Sequence, residues 1–146
     1  MTIQNVLGID LPVIQAPMAG VQGHELAVAV SNAGGLGSLP CAMLSSEALR
    51  KELEALTNQT SKPYNVNFFC HTPPEPDANA EHHWREALSP YFDELGIDSN
   101  DVSAQAGRAP FSSEAADVLA DFKPPVVSFH FGLPAPELMA RIRGWG

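Results

Sequence analysis

The sequence predicts an α/β fold in which short strands alternate with helices on a parallel sheet. Two observations carry the prediction. Four short runs have strand character, and amphipathic stretches of helical period follow them, so that the order strand–helix recurs four times with one insertion. Parallel strands joined this way need right-handed crossovers. Four such units make half of a (β/α)8 barrel or a small open sheet of flavodoxin type, and the pattern alone does not separate the two.

Residues 13–16, Val-Ile-Gln-Ala, lie between Pro12 and Pro17 and read as a short buried strand. Over 24–33, Leu26, Ala27, Val30 and Ala33 recur at helical spacing. Gly34 is expected to end that helix, because glycine enters the left-handed conformation cheaply. Residues 35–39 form the second strand. Ser45 or Ser46 then caps a helix with Leu49, Leu53 and Leu56 on one face. Residues 64–68 alternate polar and apolar side chains, a third strand, and a proline-rich loop follows over 72–77. Trp84, Leu88, Phe92 and Leu95 mark the next helical face; Pro90 is expected to break it, with Ser89 capping a second short helix. The stretch 99–110 reads as an excursion without regular structure. A helix over 113–122 turns Val118, Leu119 and Phe122 inward, 125–131 is the strongest strand, and Pro136 opens a last helix over 137–143.

Composition narrows the function classes. The 146 residues suffice for one domain with a hydrophobic core, and the apolar share, 45%, is ordinary for a globular protein. No apolar run approaches the roughly 20 residues that span a bilayer. The first residues lack the basic and then apolar segments of a signal peptide, so a cytoplasmic protein is expected. Cys41 and Cys70 form no CxxC pair and read as small packing residues rather than a disulfide. A net charge of −9, with eight scattered basic residues, argues against nucleic acid as a partner.

Few residues stand out for chemistry. Gly34-Gly35-Leu36-Gly37 is no dinucleotide loop: Pro40 stands where a third glycine is needed, and the glycines follow a helix instead of opening one. They serve either a plain turn or the close approach of a flat ligand to the next strand. In the fourth strand Val126, Ser128 and His130 share one face, with Val127, Phe129 and Phe131 on the other. In a barrel His130 would point into the mouth at the strand's C-terminal end, where barrel chemistry sits; otherwise it is a hydrogen-bonded core histidine. Asn67 stands similarly at the end of the third strand and shares a face with Asn65. Two inward amides need partners, which a polar ligand or a structural amide pair would supply. His24, His71, His82 and His83 have no ligand spacing, and no metal site is expected.

Three segments together resemble the nitronate monooxygenases, formerly called 2-nitropropane dioxygenases. They are Gln15-Ala16-Pro17-Met18-Ala19-Gly20, Ser31-Asn32-Ala33-Gly34-Gly35-Leu36-Gly37-Ser38 and Val126-Val127-Ser128-Phe129-His130-Phe131-Gly132. The first two are shared with the flavin-dependent enoyl-ACP reductases, the alternative reading; the third is more characteristic of the nitronate enzymes. The resemblance implies the N-terminal half of an FMN-binding (β/α)8 TIM barrel over 1–146, with a loop and helix insertion at about 71–112 and the C-terminal half outside this chain. It implies oxidation of alkyl nitronates by O2 to a carbonyl compound and nitrite, through one-electron transfer to the flavin. By position, Ala16, Pro17 and Met18 would face the isoalloxazine ring and Asn67 would hydrogen-bond to the flavin. His130 would be the base or the anion-orienting group. Asn65 departs from the pattern, since relatives often have glycine there.

Barrel phosphate sites usually come from the loops after strands seven and eight, so the flavin phosphate grip is expected outside these residues. The polypeptide 1–146 is accordingly expected either to be inactive alone or to pair with a second copy or with the missing half. A non-catalytic half-barrel is the alternative from another class.

Overall fold

Six helices and three parallel strands make up residues 1–73, 75–102 and 108–145, which the computed structural model describes. In chain order they are α1 (Ile3–Leu7), α2 (His24–Asn32), β1 (Gly37–Pro40), α3 (Ser46–Gln59), β2 (Tyr64–Phe69), α4 (Ala78–Leu95), α5 (Ser113–Phe122), β3 (Val126–His130) and α6 (Pro136–Arg143). Two compact units result: Met1–His71 with Arg108–Gly146, and Thr72–Gly107, which contains α4.

In the first unit the sheet order is β1-β2-β3, with Pro40 opposite Asn67 and Asn67 opposite Ser128. Strand alternation sends Leu39, Val66 and Phe68 to one face, where they are buried against Ala27 and Val28 of α2, Leu49, Leu53 and Leu56 of α3, and Ala116, Val118 and Leu119 of α5. The predicted leucine stripe of α3 is therefore its core face. Ser45 caps α3 by accepting from the Ala48 N–H at 3.2 Å, and Ser112 does the same for α5 through Ala115 at 3.3 Å. Gly23 precedes α2 and has no side chain for this, so Glu52 of α3 accepts the His24 N–H at 3.0 Å instead. Arg50 pairs with Asp121 at 2.7 Å and Arg141 with Asp117 at 2.5 Å, tying α3 and α6 to α5.

The structure departs from the sequence reading at five places. Residues 13–16 are not a buried strand: Ile14 makes one parallel bridge to Leu36, and both Val13 and Ile14 are exposed. α1 was not expected at all; Thr2 caps it, and Gly8 closes it in the left-handed conformation. The buried face of α2 is Ala27, Val28 and Ser31, whereas Leu26 and Ala33 are exposed. Pro90 does not break α4, which runs unbroken through it from an Asp77 cap to Gly96. Phe131 does not share the helix-facing side of Val127 and Phe129, because its φ of 66° ends the extended alternation.

Gly34, at φ 95°, follows the end of α2 as expected, whereas Gly37 has a different task. A Cβ on Gly37 would lie 1.9 Å from the Ala27 carbonyl oxygen, so glycine lets the backbone of α2, not a ligand, approach β1. In the second unit, Arg85 pairs with Glu81 and donates to the carbonyls of Ser99 and Val102, holding the turn after α4. Of the expected irregular stretch 99–110, residues 103–107 lie outside the described residues, as does Pro74 of the loop 72–77.

Candidate active site

The sheet face turned away from α2, α3 and α5 carries Ser38, Asn65, Asn67, Val126, Ser128 and His130, and these line one cavity of about 700 Å³. Ile14, Pro17, Phe69, Arg108 and Phe131 complete much of the wall. The period-two reading of β3 thus places Val126, Ser128 and His130 together. A second hollow, about 560 Å³, lies on the other side of β3 among Val127, Phe129, Leu133, Met139, Ile142 and Trp145. That wall is mainly apolar, with Lys123 and Arg143 as its charged members.

The loop after Ile14 is held to β1 by side chains. Gln15 donates to the Ser38 carbonyl and accepts from the Ser38 N–H, both at 3.1 Å, an amide standing in for a strand partner. Gln22 donates to the carbonyls of Ala16 (3.1 Å) and Ser38 (3.3 Å). Pro17 lies on the cavity wall, with Ala16 and Met18 exposed beside it.

The two asparagines of β2 are not equivalent. Asn67 donates its amide to Ser128 Oγ at 2.8 Å and to the Ser128 carbonyl at 3.3 Å, a bond across the sheet. Asn65 donates to Ser38 Oγ at 3.1 Å, but its buried Oδ1 has no hydrogen-bond partner among the described residues. Such an atom costs about 1–3 kcal/mol until a donor reaches it.

The C-terminal ends of β2 and β3 bring an aromatic cluster together around Phe69. Phe69 is in register with His130, their rings 5.8 Å apart, and the Phe131 ring lies 5.1 Å from Phe69 and 3.9 Å from His130. The positive φ of Phe131, followed by 121° at Gly132, swings that ring to the cavity side. A bulky residue in this conformation stores strain, which proteins concentrate at functional sites. A bridge between Phe69 and Pro110 brings the segment of Arg108 to Phe69, whose ring centre lies 6.0 Å from the guanidinium carbon. Among the described residues the lining contains no Asp or Glu.

Neither thiol belongs to this cluster. Burial pushes the Cys41 thiol far above its ordinary range and raises Cys70 as well, so both disfavour the reactive thiolate. Among the described residues no three His, Cys, Asp or Glu side chains group as a metal site would require. Sequence reasoning missed Arg108, Phe69, Ser38 and Gln15. Phe69 has the same strand parity as Asn65 and Asn67, and Gln15 is the polar residue inside an apolar run. Arg108 lies where no periodic pattern marks it.

The family model described as nitronate monooxygenase matches residues 1–145. The chain belongs to this family. A nitronate monooxygenase of Paraburkholderia phytofirmans is 41% identical over 146 residues, which is 97% of this chain and 39% of the relative. A second, from Pseudomonas aeruginosa, is 38% identical over 143 residues, again 97% of this chain and 40% of the relative. Among solved structures, nitroalkane oxidase from Streptomyces ansochromogenes superimposes with a TM-score of 0.77 at 34% identity, over 98% of this chain and 40% of its own. FabK from Thermotoga maritima gives a TM-score of 0.61 at 25% identity, over 95% of this chain and 34% of its own. The chain thus spans about 40% of the length of the family members it matches. Its parallel sheet and crossover helices are the N-terminal part of the nitronate monooxygenase (β/α)8 barrel. Among the described residues no helix is long and apolar enough to cross a membrane.

Proposed function

We propose that this protein oxidises alkyl nitronates with O2 to a carbonyl compound and nitrite, using FMN held against the inner face of the sheet. The observation that carries the reading is His130, at the C-terminal end of β3 on the wall of a cavity whose described residues include no carboxylate, in a chain of the nitronate monooxygenase family.

The residues present fit a flavin. The buried Asn65 Oδ1 lacks a donor, and an isoalloxazine ring offers an N–H. Ile14, Pro17, Leu36 and Val126 give that face apolar surface for a flat ring, with Asn67 and Ser38 as polar neighbours. Bound there, flavin supplies electron-accepting chemistry that no side chain of the cavity has.

The chain's own part is placement and proton handling. A nitronate is an anion, and an imidazolium or a neutral ring N–H of His130 binds its oxygens by a charge-assisted hydrogen bond. For a neutral nitroalkane, an unprotonated ring nitrogen takes the α-proton while the C–H electron pair moves into the carbon–nitrogen bond of the nitronate. Phe69 and Phe131 pack beside the imidazole and narrow the positions it can take. Ser128 bonds to Asn67 and fills the wall, a positioning role rather than that of a nucleophile.

His130→Asn in the intact flavin-bearing protein tests this. Flavin content should be unchanged, and turnover of neutral nitroalkane should fall by about two to four orders of magnitude, the range for a lost general base. Preformed nitronate should lose less, its proton being already gone. Equal losses on both substrates in steady-state assays, or none, would remove the proton-abstracting role.

A further inference from the structure

The cavity wall has an uneven charge. The chain carries 17 acidic and eight basic residues, yet among the described residues no carboxylate lines the cavity, and the one Arg or Lys there is Arg108. Arg108 and His130 are brought there by the same residue. β2 is flanked by β3 on one edge, where Phe69 meets His130, and by the bridge to Pro110 on the other, two residues after Arg108. The guanidinium carbon sits 6.0 Å from the Phe69 ring centre, and the imidazole ring 5.8 Å from it. An arginine over an aromatic face is attracted by the ring's negative face, and its planar fork of N–H donors matches a planar two-oxygen anion.

We propose that Arg108 is the specificity-determining residue for anionic substrates, offering its paired N–H groups to the nitronate oxygens beside Phe69 in the cavity that His130 also lines. The inference rests on the nitronate-oxidising reading and deepens it by assigning the charge selectivity to one side chain. A guanidinium presents paired donors that match a planar group bearing two oxygens, which the point charge of an ammonium does not. Selection of anion over neutral nitroalkane then comes from Arg108, and proton removal from His130. Because the protein is acidic overall, local positive charge at the cavity also sets the rate at which anions reach it, and that rate falls with added salt.

The test uses the intact flavin-bearing protein and its Arg108→Met and Arg108→Lys variants. Inorganic nitrite, a planar anion with two oxygens, is titrated while the flavin absorbance is followed, and KM is measured for a nitronate and for its neutral nitroalkane. In Arg108→Met the nitrite Kd and nitronate KM should rise about ten- to a hundredfold, as for a lost hydrogen bond to a charged group. Nitroalkane KM should change by less than about threefold, a shift below 0.7 kcal/mol. Arg108→Lys should fall between, and flavin content should match the unsubstituted protein in both. An unchanged nitrite Kd in Arg108→Met overturns the proposal. Loss of flavin in both variants overturns it too, since that would place Arg108 on the cofactor. If the unsubstituted protein turns over no nitronate, the functional reading fails, while the nitrite titration still decides whether Arg108 binds anions.

Discussion

Asn65 and Asn67 occupy equivalent positions of one strand, and the structure gives them opposite tasks. Asn67 commits its amide nitrogen to Ser128 across the sheet, whereas Asn65 leaves a buried oxygen without a donor. Asn65→Leu should therefore weaken FMN by about two- to thirteenfold, the worth of one net hydrogen bond, with little net change in melting temperature, because the bond to Ser38 Oγ and the unsatisfied oxygen are lost together. Asn67→Ala should weaken FMN by a similar factor and also lower the melting temperature, because Ser128 Oγ loses its partner. Flavin titration with thermal melts separates them; equal melting shifts would contradict the division of labour. The sequence marks both amides as inward, since strand parity is local, but which one is satisfied depends on Ser38 and Ser128 of neighbouring strands. His130 was legible for the same local reason. Arg108 was not, because its place follows from a bridge between Phe69 and Pro110, residues distant in sequence.

Among the elements, helices and strands with a strong period were legible, and those decided by one residue were not. α3, β2, α5 and α6 follow their leucine, alternation and capping signals. Pro90 signalled a break that α4 does not make. Proline withholds the N–H that the Glu86 carbonyl would accept, but Glu86 is exposed, so water can serve that carbonyl. Residues 13–16 have strand composition, yet Gln15 turns its amide to Ser38, and the ladder stops after one bridge. Gly37 shows the reverse case, where a glycine open to a plain turn or a ligand approach is required by helix packing. Gly37→Ala should destabilise the intact protein by about 3 kcal/mol, since the new methyl meets the backbone of α2, which cannot move aside as a side chain can. Thermal denaturation checks this; a shift under about 0.5 kcal/mol, the size of an ordinary surface change, would show that α2 yields freely.

For the whole molecule, the sheet buries one face under helices and turns the other, with its polar residues, to the cavity. The polypeptide 1–146 expressed by itself should be colourless and either aggregated or associated, because open strand edges and a half-covered inner face favour pairing. Size-exclusion chromatography with light scattering and a visible spectrum tests this, and a yellow, monodisperse species of 15.6 kDa would refute it. By itself the sequence determined the α/β class, most helices, the parity of β2 and β3 and the position of His130, all set by periods and caps that act within a few residues. Tertiary structure alone decided which side of α2 is buried, why Gly37 is glycine, where Phe131 turns and how Arg108 reaches the cavity. Each of those depends on a backbone or ring supplied by a distant segment, and no local pattern encodes that neighbour.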